Sequence, residues 1–299
     1  MRPLDRRTVQ DDRPIRHRPI VSFFTRLAKE KPLGLLGGLI VLLMLLSGIF
    51  AEFLAQHEMD EINLIDRLVG TTINYPLGTD HLGRDILSRM IYGARVSMTV
   101  GMAASTLAVA VAVIIAVPSG YFSGKYDIVL QRLVDGFMSF PSLIVLLTVM
   151  SIVGRGLPQI ILVLGVVHGI GTSRVIRGAV IGIKENDYFT ASEAVGNTTL
   201  RTLMLYIMPN VMAPTIIVFT TSIGAMILWE ASLSFLGFGL PPEAASWGGM
   251  LSTEGRTYME MKPALALWPG LAITAVVYGI NMFGDAMRDL LDPRLRGSR

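Results

Sequence analysis

Few residues in this 299-residue chain have the type and spacing for covalent or redox chemistry. With no cysteine, neither disulfides nor thiolate metal ligands are available, and the compartment cannot be read from redox chemistry. The four histidines, His17, His57, His81 and His168, are scattered along the chain. There is no glycine-rich phosphate loop followed by Lys and Ser or Thr, no zinc-binding helix motif and no Gly-x-Ser-x-Gly elbow. An intramembrane enzyme would need a nucleophile and base, or a ligand cluster, inside its apolar segments, and none stands there. The chain therefore reads as non-catalytic, binding no cofactor and no metal of its own, so any energy it uses must come from a partner.

The charges that remain must be placed by long apolar elements. Hydrophobic residues make up 52% of the chain and charged ones 16%, and the mean hydropathy is +0.54, a balance that suits lipid better than water. The formal charge of +3 is no nucleic-acid signal, because the basic residues gather in the tail before the first apolar run. A bilayer core about 30 Å thick takes roughly 20 apolar helical residues, and six stretches qualify: Leu33 to Ala51, Val96 to Gly124, Gly136 to Gly154, Gly156 to Ser173, Thr202 to Trp229 and Pro263 to Gly284. Val96 to Gly124 and Thr202 to Trp229 exceed the minimum, so each should tilt or project at one end. Gly154, Gly156 and Pro158 supply a tight turn around Arg155, between the third and fourth. Small residues such as Gly101 to Ala104, Ala108, Ala110 and Ala112 let helices approach closely where lipid provides no hydrophobic drive.

The tail from Met1 to Pro32 carries nine Arg or Lys against four acids; it is too long and too charged for a signal peptide, so it is expected to remain, inside the cell. Six crossings then put both termini in the cytoplasm of a multi-pass cytoplasmic-membrane protein. The expected division is a basic tail at 1–32, a first transmembrane helix at 33–54, an extracytoplasmic segment at 55–95, a five-helix core at 96–288 with a cytoplasmic loop at 174–208, and a tail at 289–299. Arg177 and Lys184, and Arg288, Arg294, Arg296 and Arg299, fall on the inner side as the rule asks; Arg84, Arg89 and Arg95 fall outside against it.

The most informative stretch is Asp187-Tyr188-Phe189-Thr190-Ala191-Ser192-Glu193-Ala194-Val195-Gly196, with Pro209-Asn210 following in the next span. Small residues at Thr190, Ala191, Ser192 and Ala194 make a narrow helix that another protein's groove could enclose, or an ordinary interfacial helix; Gly196 permits a sharp turn, and Pro209 suits a first helical turn.

That loop resembles the coupling loop of bacterial ABC-importer permeases, whose pattern is Glu-Ala-Ala, three residues, Gly, then a Pro further on. Ala191, Gly196 and Pro209 match, while Thr190 stands where the family has Glu and Ser192 where it has the second Ala. Further blocks resemble the C-type subunit of dipeptide and oligopeptide permeases: Pro76-Leu77-Gly78-Thr79-Asp80, Leu82-Gly83-Arg84-Asp85 and Tyr92-Gly93-Ala94-Arg95-Val96-Ser97; then Glu230-Ala231-Ser232-Leu233-Ser234-Phe235-Leu236-Gly237, Pro241-Pro242 and Ser246-Trp247-Gly248; and Leu291-Asp292-Pro293-Arg294 at the end. The resemblance implies an all-α polytopic membrane protein with the core of a type I ABC-importer permease. It also implies the assembly: a homologous second permease subunit, two ATP-binding subunits that hold ATP and Mg, and an extracytoplasmic substrate-binding protein, embedded in lipid, with no nucleic acid. The loop, from Asp187 through Asn210, would be the contact with the ATPases, and the cargo di- or oligopeptides, or alternatively glutathione, a nickel complex or an oligosaccharide.

Asp80, Arg84 and Asp85 have two readings, contact with the binding protein or a scaffold closing the outer end, and pairing within the scaffold is favoured. The residues Ile86 to Gly93 are expected to form an amphipathic helix on the outer face. Glu230, at the outer end of the fifth span, either lines the mouth and meets a peptide amino group or is an anchor or bundle-internal pair. Arg132 with Asp135, and Arg288 with Asp285 and Asp289, are expected to pair locally. His168 has no second titratable group in its span, so it reads as a hydrogen-bonded structural residue rather than a proton relay. An ion-coupled carrier working alone would need ionisable residues at mid-bilayer and broken helices in matching repeats, and neither is legible.

Overall fold

In the computed structural model the chain is a bundle of α-helices. The structure describes residues 19–241 and 244–291, without the side chains of residues 19–24, 193, 253, 254 and 291. Pro242, the side chain of Glu193 and the terminal arginines Arg294, Arg296 and Arg299 thus lie outside the described residues. The helices run α1 Pro19–Glu30, α2 Pro32–Ile49, α3 Ala51–Leu54, α4 Ile86–Phe122, α5 Gly124–Met138, α6 Ser142–Val153, α7 Leu157–Lys184, α8 Asp187–Ala194, α9 Thr199–Thr202, α10 Met208–Phe235, α11 Trp247–Met250, α12 Arg256–Tyr258 and α13 Ala264–Leu291. Five helical stretches are long and apolar enough to cross a membrane, and α5 with α6, bent by 84°, can make a sixth.

Three boundaries differ from the sequence expectation, each for a local reason. First, Ile86 to Gly93 is not a separate surface helix but the start of α4, which Asp85 caps by accepting the Ser88 N–H. At 37 residues and about 1.5 Å of rise per residue, α4 reaches well beyond a hydrocarbon layer about 30 Å thick. Second, the third span is broken. Pro141 has no N–H to donate and disfavours the helical region for Phe140, so α5 stops before them and α6 starts afresh. Third, Pro209 stands in the first turn of α10 as expected, but the fifth span starts before it. The helix already begins at α9 and passes through a π turn, Leu203–Ile207, immediately before α10. A wider turn there removes the clash that the proline ring would make with the preceding carbonyls, and the Asn210 side-chain amide donates to the Tyr206 carbonyl at 2.7 Å.

The bundle is organised around α4, which packs along α7 and also meets α10 and α2, while α13 lies against α2 and α10. Close approach depends on absent side chains. A Cβ on Gly169 would sit 2.6 Å from the Ala108 carbonyl oxygen of α4, and one on Gly37 would sit 2.3 Å from the Gly279 carbonyl oxygen of α13. The turn between α6 and α7 is the one expected, with positive φ at Gly154 and Gly156. Of five apolar clusters among the described residues, the three with most residues hold Ile176, Val180, Phe189 and Ile207 towards the α8 end, Leu146, Ile160 and Met226 in the middle, and Ile227, Trp247 and Val276 towards the opposite end.

Because backbone faces backbone at Gly37, Gly37→Val should push α2 off α13 at a cost of about 1–3 kcal/mol. A lowered thermal midpoint of the purified protein, with Leu36→Ala on the exposed side of α2 as comparison, measures it; an unchanged midpoint would contradict this packing.

Candidate functional site

At one end of the bundle α8 follows α7 and packs back on it. Asn186 precedes it, its carbonyl accepting the Phe189 and Thr190 N–H groups and its side-chain amide donating to the Gly182 and Ile183 carbonyls, so the chain turns from α7 into α8 without loose ends. The helix has two faces. Phe189, 2% exposed, packs into the cluster of Ile176, Val180, Ile183 and Ile207, edge-on to Tyr121. Ser192, one turn on, is buried as well and accepts a hydrogen bond from Asn197 Nδ2 at 2.9 Å. Outward stand Asp187, Tyr188, Thr190 and Ala191, followed by Val195, which is 83% exposed. Gly196 then takes φ +78°, with open space around it; left-handed backbone is what makes glycine useful there, and size is not the constraint.

The structure therefore brings Asp187, Tyr188, Thr190 and Ala191 together on one outward patch, turns Ser192 inward, and separates Pro209 and Asn210 from them, inside the fifth span. Phe189 was absent from the residues singled out by sequence reasoning. The signal that could have found it is its spacing of three from Ser192, which puts both on one side of a helix.

Beneath α8 the helix ends are braced by charge. Arg177 of α7 donates from Nε to Asp127 of α5 at 2.7 Å, with Nη2 on the second carboxylate oxygen. Asp127 also accepts from Ser119 of α4, which accepts from Gln131 at 3.0 Å. Lys184 donates to the Tyr121 carbonyl at 2.7 Å and to Ser123 Oγ at 3.1 Å, which satisfies carbonyls at the end of α4. Asp135 has Arg174 as its close partner; the Arg132 that sequence spacing selected stands 4.0 Å away on an exposed flank. Asp289 pairs with Lys31 across the bundle rather than with Arg288.

At the opposite end the segment before α4 is built on Asp80. Its Oδ1 accepts the Leu82 and Arg84 N–H groups, and Oδ2 accepts Arg84 Nε at 2.6 Å. Arg89 Nη1 donates to the Met59 carbonyl, tying α4 back to the segment, and Thr79 faces Asp85 across a single bridge. His81 stacks on Tyr258, and burial holds its imidazole below the ordinary histidine range. Asp80, Arg84 and Asp85 are at most 6% exposed, so the contact with a binding protein entertained for them is corrected: they are the scaffold. Glu230 is corrected likewise. It is 1% exposed, inside the bundle, with Oε1 accepting from Ser234 Oγ at 2.8 Å, and no cation pairs with it among the described residues. His168 is hydrogen-bonded, Nε2 to Ser222 Oγ of α10 at 3.0 Å.

The described residues thus form a polytopic helical bundle with a short two-faced helix at one end. The chain belongs to the family described as binding-protein-dependent transport system inner membrane component, which matches residues 108–297. It is 35% identical to the dipeptide transport system permease protein DppC of Alkalihalophilus pseudofirmus over 91% of this chain and 89% of that one. It is 34% identical to the oligopeptide transport system permease protein OppC of Bacillus subtilis over 90% and 88%, and 30% identical to the glutathione transport system permease protein GsiD of Escherichia coli over 92% and 90%. The fold matches a chain of an inward-facing methionine ABC transporter with a TM-score of 0.54 and 18% identity, covering 68% of this chain and 96% of that one. The protein is thus a multi-pass permease subunit of the cytoplasmic membrane that works within an ABC system of partner subunits.

Phe189→Ala should release α8 from its seat at a cost of about 3–5 kcal/mol to the local packing. Limited proteolysis between residues 185 and 198 reads this directly; cleavage at the wild-type rate would show that Phe189 is not the anchor.

Proposed function

We propose that this subunit forms one wall of the path of an ATP-driven importer of di- or oligopeptides, and that α8 is where its ATPases push. The carrying observation is the division of α8 into a buried face at Phe189 and Ser192 and an exposed face at Asp187, Tyr188, Thr190 and Ala191. A helix held from below and open above can enter a groove and pass a displacement to the bundle. Thr190 puts a neutral side chain on that face, which leaves Asp187 as its charge among the described side chains.

On this reading the α8 end is cytoplasmic. Arg174, Arg177, Lys184 and Arg201 gather there, as the positive-inside rule asks, and the residues around 55–85 face the other side. The partners would be a homologous second permease, two ATP-binding subunits that hold ATP and Mg, and an extracytoplasmic binding protein. The subunit itself would do no covalent chemistry. Peptide cargo is supported by the relatives named for dipeptide and oligopeptide transport. The relative named for glutathione transport favours a second reading, a short modified peptide, and uptake competition between dialanine and glutathione separates the two.

Gly196 supplies the test of coupling. A β-branched residue at positive φ costs about 1–2 kcal/mol in backbone strain, equivalent to about tenfold, whereas Asn tolerates that region. Gly196→Val should insert and assemble yet import about tenfold less per ATP hydrolysed, and Gly196→Asn should recover most of the uptake. Unimpaired transport by Gly196→Val would count against α8 as the coupling helix.

A further inference from the structure

The break between α5 and α6 lies deep in the membrane-crossing part of the chain. Counting from the α6–α7 turn, both Ser142 and His168 are about 17 Å of helix rise away, close to the middle of a hydrocarbon layer about 30 Å thick. Ser139, Phe140, Pro141 and Ser142 are exposed on this chain. Irregular backbone at such depth does not face lipid; it is tolerated where protein covers it or where it lines a water-filled cavity.

A cavity is there. A space of about 420 Å³ is walled by Phe140 and Ser142 of the break, His168 and Thr172 of α7, and Trp229 of α10. The same His168 and Thr172 also line a second space of about 470 Å³, walled by Pro214 and Ser222 of α10 and reaching Arg288 of α13. The two spaces therefore adjoin at His168, one towards the Trp229 level and one towards the α8 end. At this junction the lining is polar: His168 Nε2 meets Ser222 Oγ at 3.0 Å, and Thr172 Oγ1 donates to the His168 carbonyl. Polar side chains at mid-membrane are costly against lipid, and they stand where a path or an internal partner needs them.

We infer that the two spaces are this chain's share of the substrate path, occupied by water and solute rather than acyl chains, and that His168, held by Ser222, is its polar contact for the main-chain amide groups of a peptide. The choice of solute rests on the proposed peptide function; the water-filled path does not.

The absence of cysteine from the natural sequence makes the test direct. Single substitutions Thr172→Cys and Ser142→Cys are made in the assembled transporter in membrane vesicles, with Ile114→Cys and Leu43→Cys as controls, both exposed apolar positions within spans. A water-soluble methanethiosulfonate reagent, which needs the hydrated thiolate, should label the first two at least about tenfold faster than the controls. Labelling no faster than at Ile114 and Leu43 overturns the path. For the contact, His168→Leu should raise the apparent KM for trialanine uptake about tenfold and His168→Gln should restore most of it; an unchanged KM in His168→Leu overturns that assignment. If the wild-type transporter imports no trialanine while Thr172→Cys and Ser142→Cys still label, the peptide reading fails and the path stands.

Discussion

An unpaired backbone N–H or C=O in hydrocarbon costs several kcal/mol, so a chain that crosses a bilayer must keep its helical hydrogen bonds or hide every place where they stop. The interruptions in this bundle obey that constraint in different ways. Between α6 and α7 the chain reverses at Gly154 and Gly156 with positive φ, at the end of the bundle. Between α4 and α5 it turns through Ser123 and Gly124, both at positive φ, and Lys184 reaches over to take the Tyr121 carbonyl that the turn leaves open. Within the fifth span Pro209 removes a donor, and the π turn with the Asn210 amide absorbs the consequence without ending the helix. Only the Ser139–Pro141 break, among these, combines depth, exposure and a neighbouring cavity.

Charge is governed by the same solvent. Ionic groups of the described residues pair near the two ends, locally for Asp80 with Arg84 before α4, and across elements far apart in sequence for Asp127 with Arg177, Asp135 with Arg174, and Lys31 with Asp289. Exposed pairs of this sort contribute little to stability, but the buried Asp80 carboxylate, saturated by two backbone N–H groups and a guanidinium, fixes the fold of the segment that starts α4. Glu230 is the contrasting case, a carboxylate taken into the bundle with a serine donor in place of a cation.

The spans were legible because lipid demands long apolar runs, and such runs need no tertiary information to recognise. The α6–α7 turn was legible for a similar reason, since Gly154, Gly156 and Pro158 are local breakers. What could not be read depends on context. A Ser-Phe-Pro sequence inside an apolar run bends the chain by 84° here, whereas Pro118, Pro214 and Pro269 sit inside continuous helices; sequence alone does not separate the cases. Local spacing found only part of the pairing: the i,i+3 pair of Arg132 with Asp135 is present at 4.0 Å, but Arg174, on a neighbouring helix and out of reach of sequence spacing, lies nearer. For α8 the pattern of small residues marked the helix, while the face that is held down became visible only once Tyr121 and Val180 were seen beneath Phe189.

These observations make α7 the structural link between the two sites. Its last turn carries Lys184 and leads through Asn186 directly into α8, so a displacement of Phe189 bears on Ile176, Val180 and Ile183 of the same helix. From there α7 runs unbroken for 28 residues, carrying Arg174 and Arg177, which grip α5, and then His168 and Thr172, which line both cavities. α6 packs on the other part of the same rod, Leu146 and Met150 against Ile160, Val163 and Leu164, and is joined to α5 through the Ser139–Pro141 break, so α7 holds both halves of the broken span. On the proposed reading, a push at α8 would reach the space beside His168 through this one rod. Packing continuity alone would not transmit such a change; on that reading the Ser139–Pro141 break, bent by 84°, is where the two halves of the span would move against each other.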